Sequence, residues 1–400
     1  MIALKKMKTW LFRLWLFILL SFFVGSLSSL FLWGLEQLQQ IPASLWALPF
    51  VAFLLHKVAG FDFAKKGINT YLEKVDSRND SNFPSYGPMG IPYVLLSTWI
   101  SHFAGASVGR EGTAVLMGAS VGEGLAEKWK QHKGIWIQMG MSAGFASVFG
   151  TPLAGCLFAL EIGVVGKIHF KSILPCIGAA FFADWVSRHV WSTNHVSFPP
   201  IFMPAFSLLF CAKLACIGLF LGILGLLYLR SQSLISKSLD KLPVQGSLKA
   251  ILAGLFLAGL LSISLFSESR GLGSAYLLRP FTESDNSFAY LKLIATSLSL
   301  GLGFKGGEAT PLFLIGSQAA ANLADVVSLP VGFLAALGFT SLYTGLTKTP
   351  LTGMAMGYEI FGPSAIFCYL FVTLVVMYSS GKTGLFTKQT WADWTPKPLY

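Results

Sequence analysis

The pentapeptide "GREGT" at residues 109–113 is answered about half a chain later by "GGEAT" at residues 306–310, an offset of 197. "TPLAG" at 151–155 is likewise answered by "TPLTG" at 349–353, an offset of 198 that also aligns Glu161 with Glu359. One such match in an apolar chain means little. Two in the same order and nearly the same register mark a duplicated unit of roughly 190 residues. The joint falls near 198–204, or in the polar, basic stretch 230–249. A weaker pairing sets "KKGINTYL" (65–72) against "RGLGSAYL" (270–277) and aligns Tyr71 with Tyr276.

The duplicated chain belongs in a bilayer. Its 400 residues are 54% apolar and only 12% charged, with a mean hydropathy of +0.64, far from soluble composition. Residues 14–33 and 135–160 run without a charge, whereas a membrane β-barrel alternates polar and apolar positions. The expected class is therefore an all-α integral membrane protein. Many apolar segments fall short of the ~20 residues that span a bilayer and are interrupted by glycine, as in tilted, broken helices whose ends meet inside the protein. Lys5, Lys6, Lys8 and Arg13 precede the first apolar run, so the positive-inside rule puts the N-terminus in the cytoplasm of a multi-pass protein of the plasma (inner) membrane. No small-residue cleavage box follows that run, which argues against a signal peptide. The chain divides into a basic N-terminus (1–13), two membrane halves (14–200 and 201–390) and a short tail (391–400), with no soluble regulatory domain.

Composition also excludes classes of function. The net charge of +11 sits in short connections with no basic helix interleaved with aromatics, so nucleic acid is not a partner. Five cysteines at irregular spacing and six scattered histidines make neither a disulfide frame nor a metal site. Nothing signals a cofactor.

The chemistry gathers at the repeated glycine motifs. Arg110 and Glu111 place two charges in apolar surroundings, at ~2.5–3.5 kcal/mol each on insertion scales. A self-neutralising pair that fixes helix ends is the plain reading. Gly109 and Gly112 favour another, in which exposed backbone N–H groups at a helix start bind an anion. A carboxylate there competes with the anion for the same donors and leaves when protonated, which couples anion movement to protons. "GGEATP" supplies the second half, with Gly307, Glu308, the Thr310 hydroxyl and a proline suited to a first helical turn. Two such N-termini brought together aim two positive dipole ends at one point, so the substrate should be an anion. Glu161 and Glu359 are either proton relays or caps on neighbouring helices. "GASVG" occurs at 105–109 and 118–122 and formally matches the nucleophile pattern of intramembrane serine hydrolases, through Ser107 and Ser120. The same letters are small-residue packing motifs, and two copies cannot both be nucleophiles.

The four motifs "GREGT", "GGEATPLFLIG", "TPLAGCLFALE" and "TPLTGMAMGYEIFG" together resemble the CLC family of anion channels and anion/proton antiporters. They are most similar to its fluoride/proton antiporter subfamily. The resemblance covers about residues 14–390 and implies a homodimer of independent pores, each subunit an inverted repeat, with Glu111 as the gating glutamate. Glu308 and Thr310 match the glutamate and threonine of the fluoride subfamily, where chloride transporters carry "GIFAP". The family's chloride-site serine has no counterpart, since "KKGINTY" stands in its place. Ile162 occupies the position of the internal proton-transfer glutamate of chloride/proton antiporters. Phe386 stands where the family usually has a tyrosine that closes over the central anion.

The implied function is export of fluoride in exchange for protons. A chloride channel or chloride/proton antiporter of the same fold is the alternative, and an intramembrane hydrolase the remote one. Fluoride holds its water tightly and needs compact donors at short range. The expected anion-binding set is Gly109, Arg110, Gly112, Asn69, Gly307, Thr310 and Phe386, with the ring edges of Tyr71 and Tyr276 facing from opposite sides. Glu111 and Glu308 are the expected proton-coupling pair.

Overall fold

The structure is a computed structural model and describes residues 2–58, 67–76, 90–284 and 287–392. The first half comprises α1 (Ile2–Gln39), α2 (Leu48–Val58), α3 (Asn69–Asp76), α4 (Gly90–Phe103), α5 (Glu111–Lys128), α6 (Lys133–Phe149), α7 (Pro152–Glu161) and α8 (Phe170–Trp185). The second comprises α9 (Leu208–Lys241), α10 (Gly246–Ser262), α11 (Phe288–Gly301), α12 (Ala309–Ala321), α13 (Val331–Leu346), α14 (Pro350–Phe361) and α15 (Ile366–Ser379). The starts of α4, α5, α6 and α7 recur at α11, α12, α13 and α14 with a constant offset of 198. The lone sheet among the described residues pairs Val164–Val165 with Thr390–Trp391.

That constant offset corrects the motif alignment by one residue. Glu111 and Ala309 each open a helix, while Arg110 and Glu308 both sit at the N-cap with matching dihedrals, φ −117° and ψ −28° against φ −110° and ψ −15°. Glu308 is thus the counterpart of Arg110, and Thr310 that of Gly112. "GREGT" and "GGEAT" match best as letters at 197 because both contain a glutamate, and the backbone ignores that coincidence.

The basic stretch ahead of the first apolar run is helical, because α1 runs unbroken from Ile2. A helix-free connection runs over 191–207, whereas the stretch 230–249 falls largely inside α9. This helix has 34 residues, about 51 Å at 1.5 Å per residue; its apolar part, 208–229, matches a hydrocarbon core of about 30 Å, and the polar turns from Arg230 onward extend beyond it.

Glycine sets how closely the helices approach. A Cβ on Gly118 of α5 would lie 2.0 Å from the Gly140 carbonyl oxygen of α6, and one on Gly338 of α13 would lie 1.9 Å from that of Gly316 in α12. The repeat therefore contains the same backbone-to-backbone contact twice, the arrangement that packs helices where lipid offers no hydrophobic drive. Gly118 of the second "GASVG" is absorbed by this contact. Large apolar side chains such as Phe170, Leu208 and Phe367 are exposed on the outside, as a lipid-facing surface requires.

Candidate anion site

The two halves meet at their glycine motifs. Gly109 and Gly307 form an antiparallel bridge, with N–H to O distances of 2.5 and 2.7 Å in the two directions. One turn earlier the Ser107 N–H donates to Ser299 Oγ at 3.0 Å and the Lys305 N–H to Ser101 Oγ at 3.2 Å. Each contact is repeated with the halves exchanged, the mark of a two-fold relation. A Cβ at Gly109 would lie 2.9 Å from the Gly307 oxygen, and one at Gly307 would lie 2.7 Å from the Gly112 nitrogen. Only glycines allow this crossing, and it brings the starts of α5 and α12 side by side.

Across this junction the buried Glu111 carboxylate reaches the first turn of α12. Thr310 donates its backbone N–H to Glu111 Oε2 at 3.0 Å and its hydroxyl to Glu111 Oε1. A carboxylate on the free N–H groups of another helix's positive end occupies the position an anion would take. Arg110 is half-buried and stays beside it, with Nε 3.4 Å from Oε1. The plain pairing of the two charges and the anion-mimic arrangement therefore coexist.

A cavity of about 320 Å³ adjoins the junction. It brings together Asn69, Tyr71, Gly112, Gly307, Glu308 and Phe386 from the expected set. Thr113, behind Glu111, also lines it, and its hydroxyl lies 2.8 Å from that of Thr98. Asn69 opens α3 and accepts the Lys388 N–H at 3.1 Å through its amide oxygen, which leaves its amide N–H groups for an acceptor. The Tyr71 hydroxyl is 2.6 Å from Ser120 Oγ, so it is tied to α5, with the ring bordering the cavity. Gly109 and Arg110 are outside the lining and shape the site through the bridge and the ion pair.

Tyr276 is the residue the structure removes from the set. It ends a short 3-10 turn, Ser274–Tyr276, with its ring 5.4 Å from Phe288, outside the cavity lining. The pairing with Tyr71 rested on an offset of 205, and the helices repeat at 198. The aromatic residues that do share the cavity lining with Tyr71 are Tyr93, Phe158, Phe304, Tyr343 and Phe386.

Glu308 turns away from Glu111, to α9. Its carboxylate accepts from the Tyr228 hydroxyl and the Gln232 amide, both at 3.2 Å. Neither residue was singled out in the sequence. Gln232 had a readable signal as a polar residue near the end of an apolar span, but its target did not. Lys305, Tyr93 and Tyr343 also line the cavity and were not foreseen.

Glu161 and Glu359 are reciprocal caps. Glu161 ends α7 and accepts from Leu351 N–H at 2.9 Å and from Thr352 N–H and hydroxyl at 2.8 Å each, at the start of α14. Glu359 of α14 accepts from Leu153 N–H at 2.7 Å and Ala154 N–H at 2.9 Å, at the start of α7. Pro152 and Pro350 begin these helices without an N–H, so the carboxylates meet the first donors available. The serines of "GASVG" are likewise in structural contacts: Ser107 Oγ is 2.9 Å from Thr296 Oγ1, and Ser120 Oγ is on Tyr71. Neither is hydrogen-bonded to a histidine among the described residues, which removes the hydrolase geometry.

The chain matches the family model for voltage gated chloride channels over residues 47–381. It is 32% identical to a chloride/fluoride channel protein of Pseudomonas syringae pv. tomato, over 93% of this chain and 84% of that protein. It is 24% identical to an H(+)/Cl(-) exchange transporter ClcA of Vibrio vulnificus, over 78% of this chain and 70% of that one. Among solved structures, a CLC-type fluoride/proton antiporter superposes with a TM-score of 0.87 at 28% identity, covering 94% of this chain and 97% of that one. A cyanobacterial Cl-/H+ antiporter shares the fold, with a TM-score of 0.75 at 20% identity over 91% and 93% of the two chains.

Proposed function

The chain belongs to the voltage-gated chloride channel (CLC) family of membrane transport proteins, and on that basis we propose that it exports fluoride in exchange for protons. The observation that carries this reading is the Glu111 carboxylate on the Thr310 N–H and hydroxyl. Those donors are compact, fixed and at the positive end of α12, the kind that can replace the tightly held water of a small anion. Anion and carboxylate compete for them. A fluoride arriving from the cavity displaces Glu111, and the displaced carboxylate takes a proton. Deprotonated again, Glu111 returns to Thr310 and expels the anion, so anion and proton move in opposite directions.

Glu308 is the second carboxylate of this cycle, held ready by Tyr228 and Gln232 on α9. Tyr71 and Phe386 border the cavity and offer ring edges to the anion. The similarity to the fluoride/proton antiporter, with Glu308 and Thr310 in the second motif, favours fluoride as the anion. The unit is a homodimer in the plasma membrane with its N-terminus in the cytoplasm. In-membrane cross-linking that gave only monomer would refute the dimer.

The test of the mechanism is Glu111→Gln in liposomes. The neutral amide cannot carry the proton, so fluoride flux should persist without proton movement. A variant that still drives protons uphill on an anion gradient, at the wild-type ratio, would exclude Glu111 as the coupling group.

A further inference from the structure

The turn between α5 and α6 reads "KWKQHK" at 128–133, three lysines within six residues. Lys128 and Lys130 are exposed and Lys133 is half-buried, and Arg13 of α1 is exposed as well. None of these four cations makes a side-chain hydrogen bond or an ion pair among the described residues. Other lysines of the protein are matched: Lys74 pairs with Glu123 and Lys388 with Glu73, and Lys348 Nζ donates to the Met377 and Gly381 carbonyls at 2.8 Å each. Between Gly124 and Lys133 the sole carboxylate is that of Glu127.

Lys130 stands where helix geometry would favour another residue. It follows the C-cap Trp129 with φ +51°, the left-handed position that glycine or asparagine usually fills after a helix. That backbone preference is overridden here by a charge.

Aromatic rings hold this turn against α1. Trp129 meets Phe12 edge-on with ring centroids 5.3 Å apart and Trp15 with centroids 6.5 Å apart, and Lys128 Nζ lies 5.4 Å from the centre of the Trp129 ring. Arg13 follows Phe12 directly, so the ring contacts bring it to the level of the three lysines. Tryptophan at the edge of an apolar segment marks the headgroup level of a bilayer. Into the bilayer from that level, Trp15, Ile18 and Phe22 follow at the spacing of one helix face, each 44% exposed or more. The corner therefore offers cations at headgroup depth beside an apolar face at acyl-chain depth, a match to the two ends of one phospholipid. A zwitterionic choline headgroup would bring its own cation against four others, whereas a headgroup of net negative charge meets only attraction.

We infer that this corner is a binding site for an anionic phospholipid, its headgroup phosphate among Arg13, Lys128, Lys130 and Lys133 and an acyl chain along α1. The site lies at the opposite end of α5 from Glu111, 18 residues away along the helix, or about 27 Å. It is separate from the anion pathway, and the inference does not depend on which ion is carried. Bound there, the lipid adds an ionic tie between α1 and the α5–α6 turn and stabilises the folded protein by mass action.

Native mass spectrometry of the purified protein in detergent, titrated with dioleoyl phosphatidylglycerol and separately with dioleoyl phosphatidylcholine, tests this. Wild type should retain phosphatidylglycerol in preference to phosphatidylcholine and gain unfolding temperature with the former alone. The triple variant Lys128→Gln, Lys130→Gln, Lys133→Gln should bind phosphatidylglycerol about a hundredfold more weakly, ~2.8 kcal/mol, as expected for three cations at a leaflet surface. The double variant Lys237→Gln, Lys241→Gln removes two exposed lysines from the end of α9 and should bind within about threefold of wild type. Lys130→Gly relieves the left-handed position, so it should unfold no earlier than wild type in lipid-free detergent and still bind phosphatidylglycerol several-fold more weakly. That variant keeps the test open if the triple variant folds poorly. Equal retention of the two lipids by wild type would overturn the charge selection. Undiminished phosphatidylglycerol binding in the triple variant or in Lys130→Gly, or an equal loss in the α9 variant, would overturn the assignment to this corner.

Discussion

Replacing Glu161 separates a helix cap from a proton relay. In Glu161→Ala the Leu351 and Thr352 N–H groups lose their acceptor at the start of α14, and Pro350 leaves no earlier donor to share the strain. Each unsatisfied buried amide costs about 1–3 kcal/mol. The Thr352 hydroxyl also loses its partner, but a hydroxyl can rotate to a carbonyl of its own helix and adds little. The expected loss is therefore roughly 2–6 kcal/mol. Glu161→Gln keeps the shape and one acceptor oxygen, so about half of that is retained. Glu359→Ala, with two donors, should fall in the same range as Glu161→Ala. The assay is thermal unfolding of the purified protein in mild detergent, with the proton-to-anion ratio measured in liposomes on the same preparations. The order of stability should be wild type, then Gln, then Ala, with the ratio preserved in every variant that still transports. A Glu161→Gln protein as stable as wild type but uncoupled would refute the cap and restore the relay.

Gly118→Ala and Gly338→Ala should each cost at least the ~1–3 kcal/mol of overpacking, because the new methyl meets a carbonyl on the facing helix; a folded yield and unfolding temperature equal to wild type would contradict the close contact. Gln232→Leu and Tyr228→Phe release Glu308 from α9 and should lower the proton-to-anion ratio while leaving anion binding by calorimetry intact; an unchanged ratio would show that this anchorage plays no part in coupling. Phe386→Tyr adds a hydroxyl at the cavity wall and should tighten anion binding by roughly the 1.5–3 kcal/mol of a hydrogen bond to a charged group; unchanged affinity would place Phe386 outside the reach of the anion.

The sequence carried the duplication and the two glycine motifs because both depend on local necessity: only glycine permits the Gly109–Gly307 crossing, and proline at a first turn is compatible with little else. Glu111 was legible for the same reason, as a charge that apolar surroundings make expensive. The register was not, since letter matching aligned Glu111 with Glu308 whereas helix starts align Arg110 with Glu308. Tyr276 failed through the same cause, as a residue matched across a loop whose length differs between the halves. The role of Tyr228 and Gln232 was hidden because it is a contact with Glu308 across 76 residues or more. The roles of Glu161 and Glu359 stayed open in the sequence, and the exchange of caps between α7 and α14 needed the fold.

The most direct measurement is simultaneous recording of anion efflux and internal pH from liposomes containing the wild-type protein, with fluoride and chloride compared at equal gradients. Fluoride should leave much faster than chloride, with protons taken up in a fixed ratio to it and driven uphill when only the fluoride gradient is imposed. Chloride efflux as fast as fluoride, or fluoride efflux with no accompanying proton movement, would contradict the account.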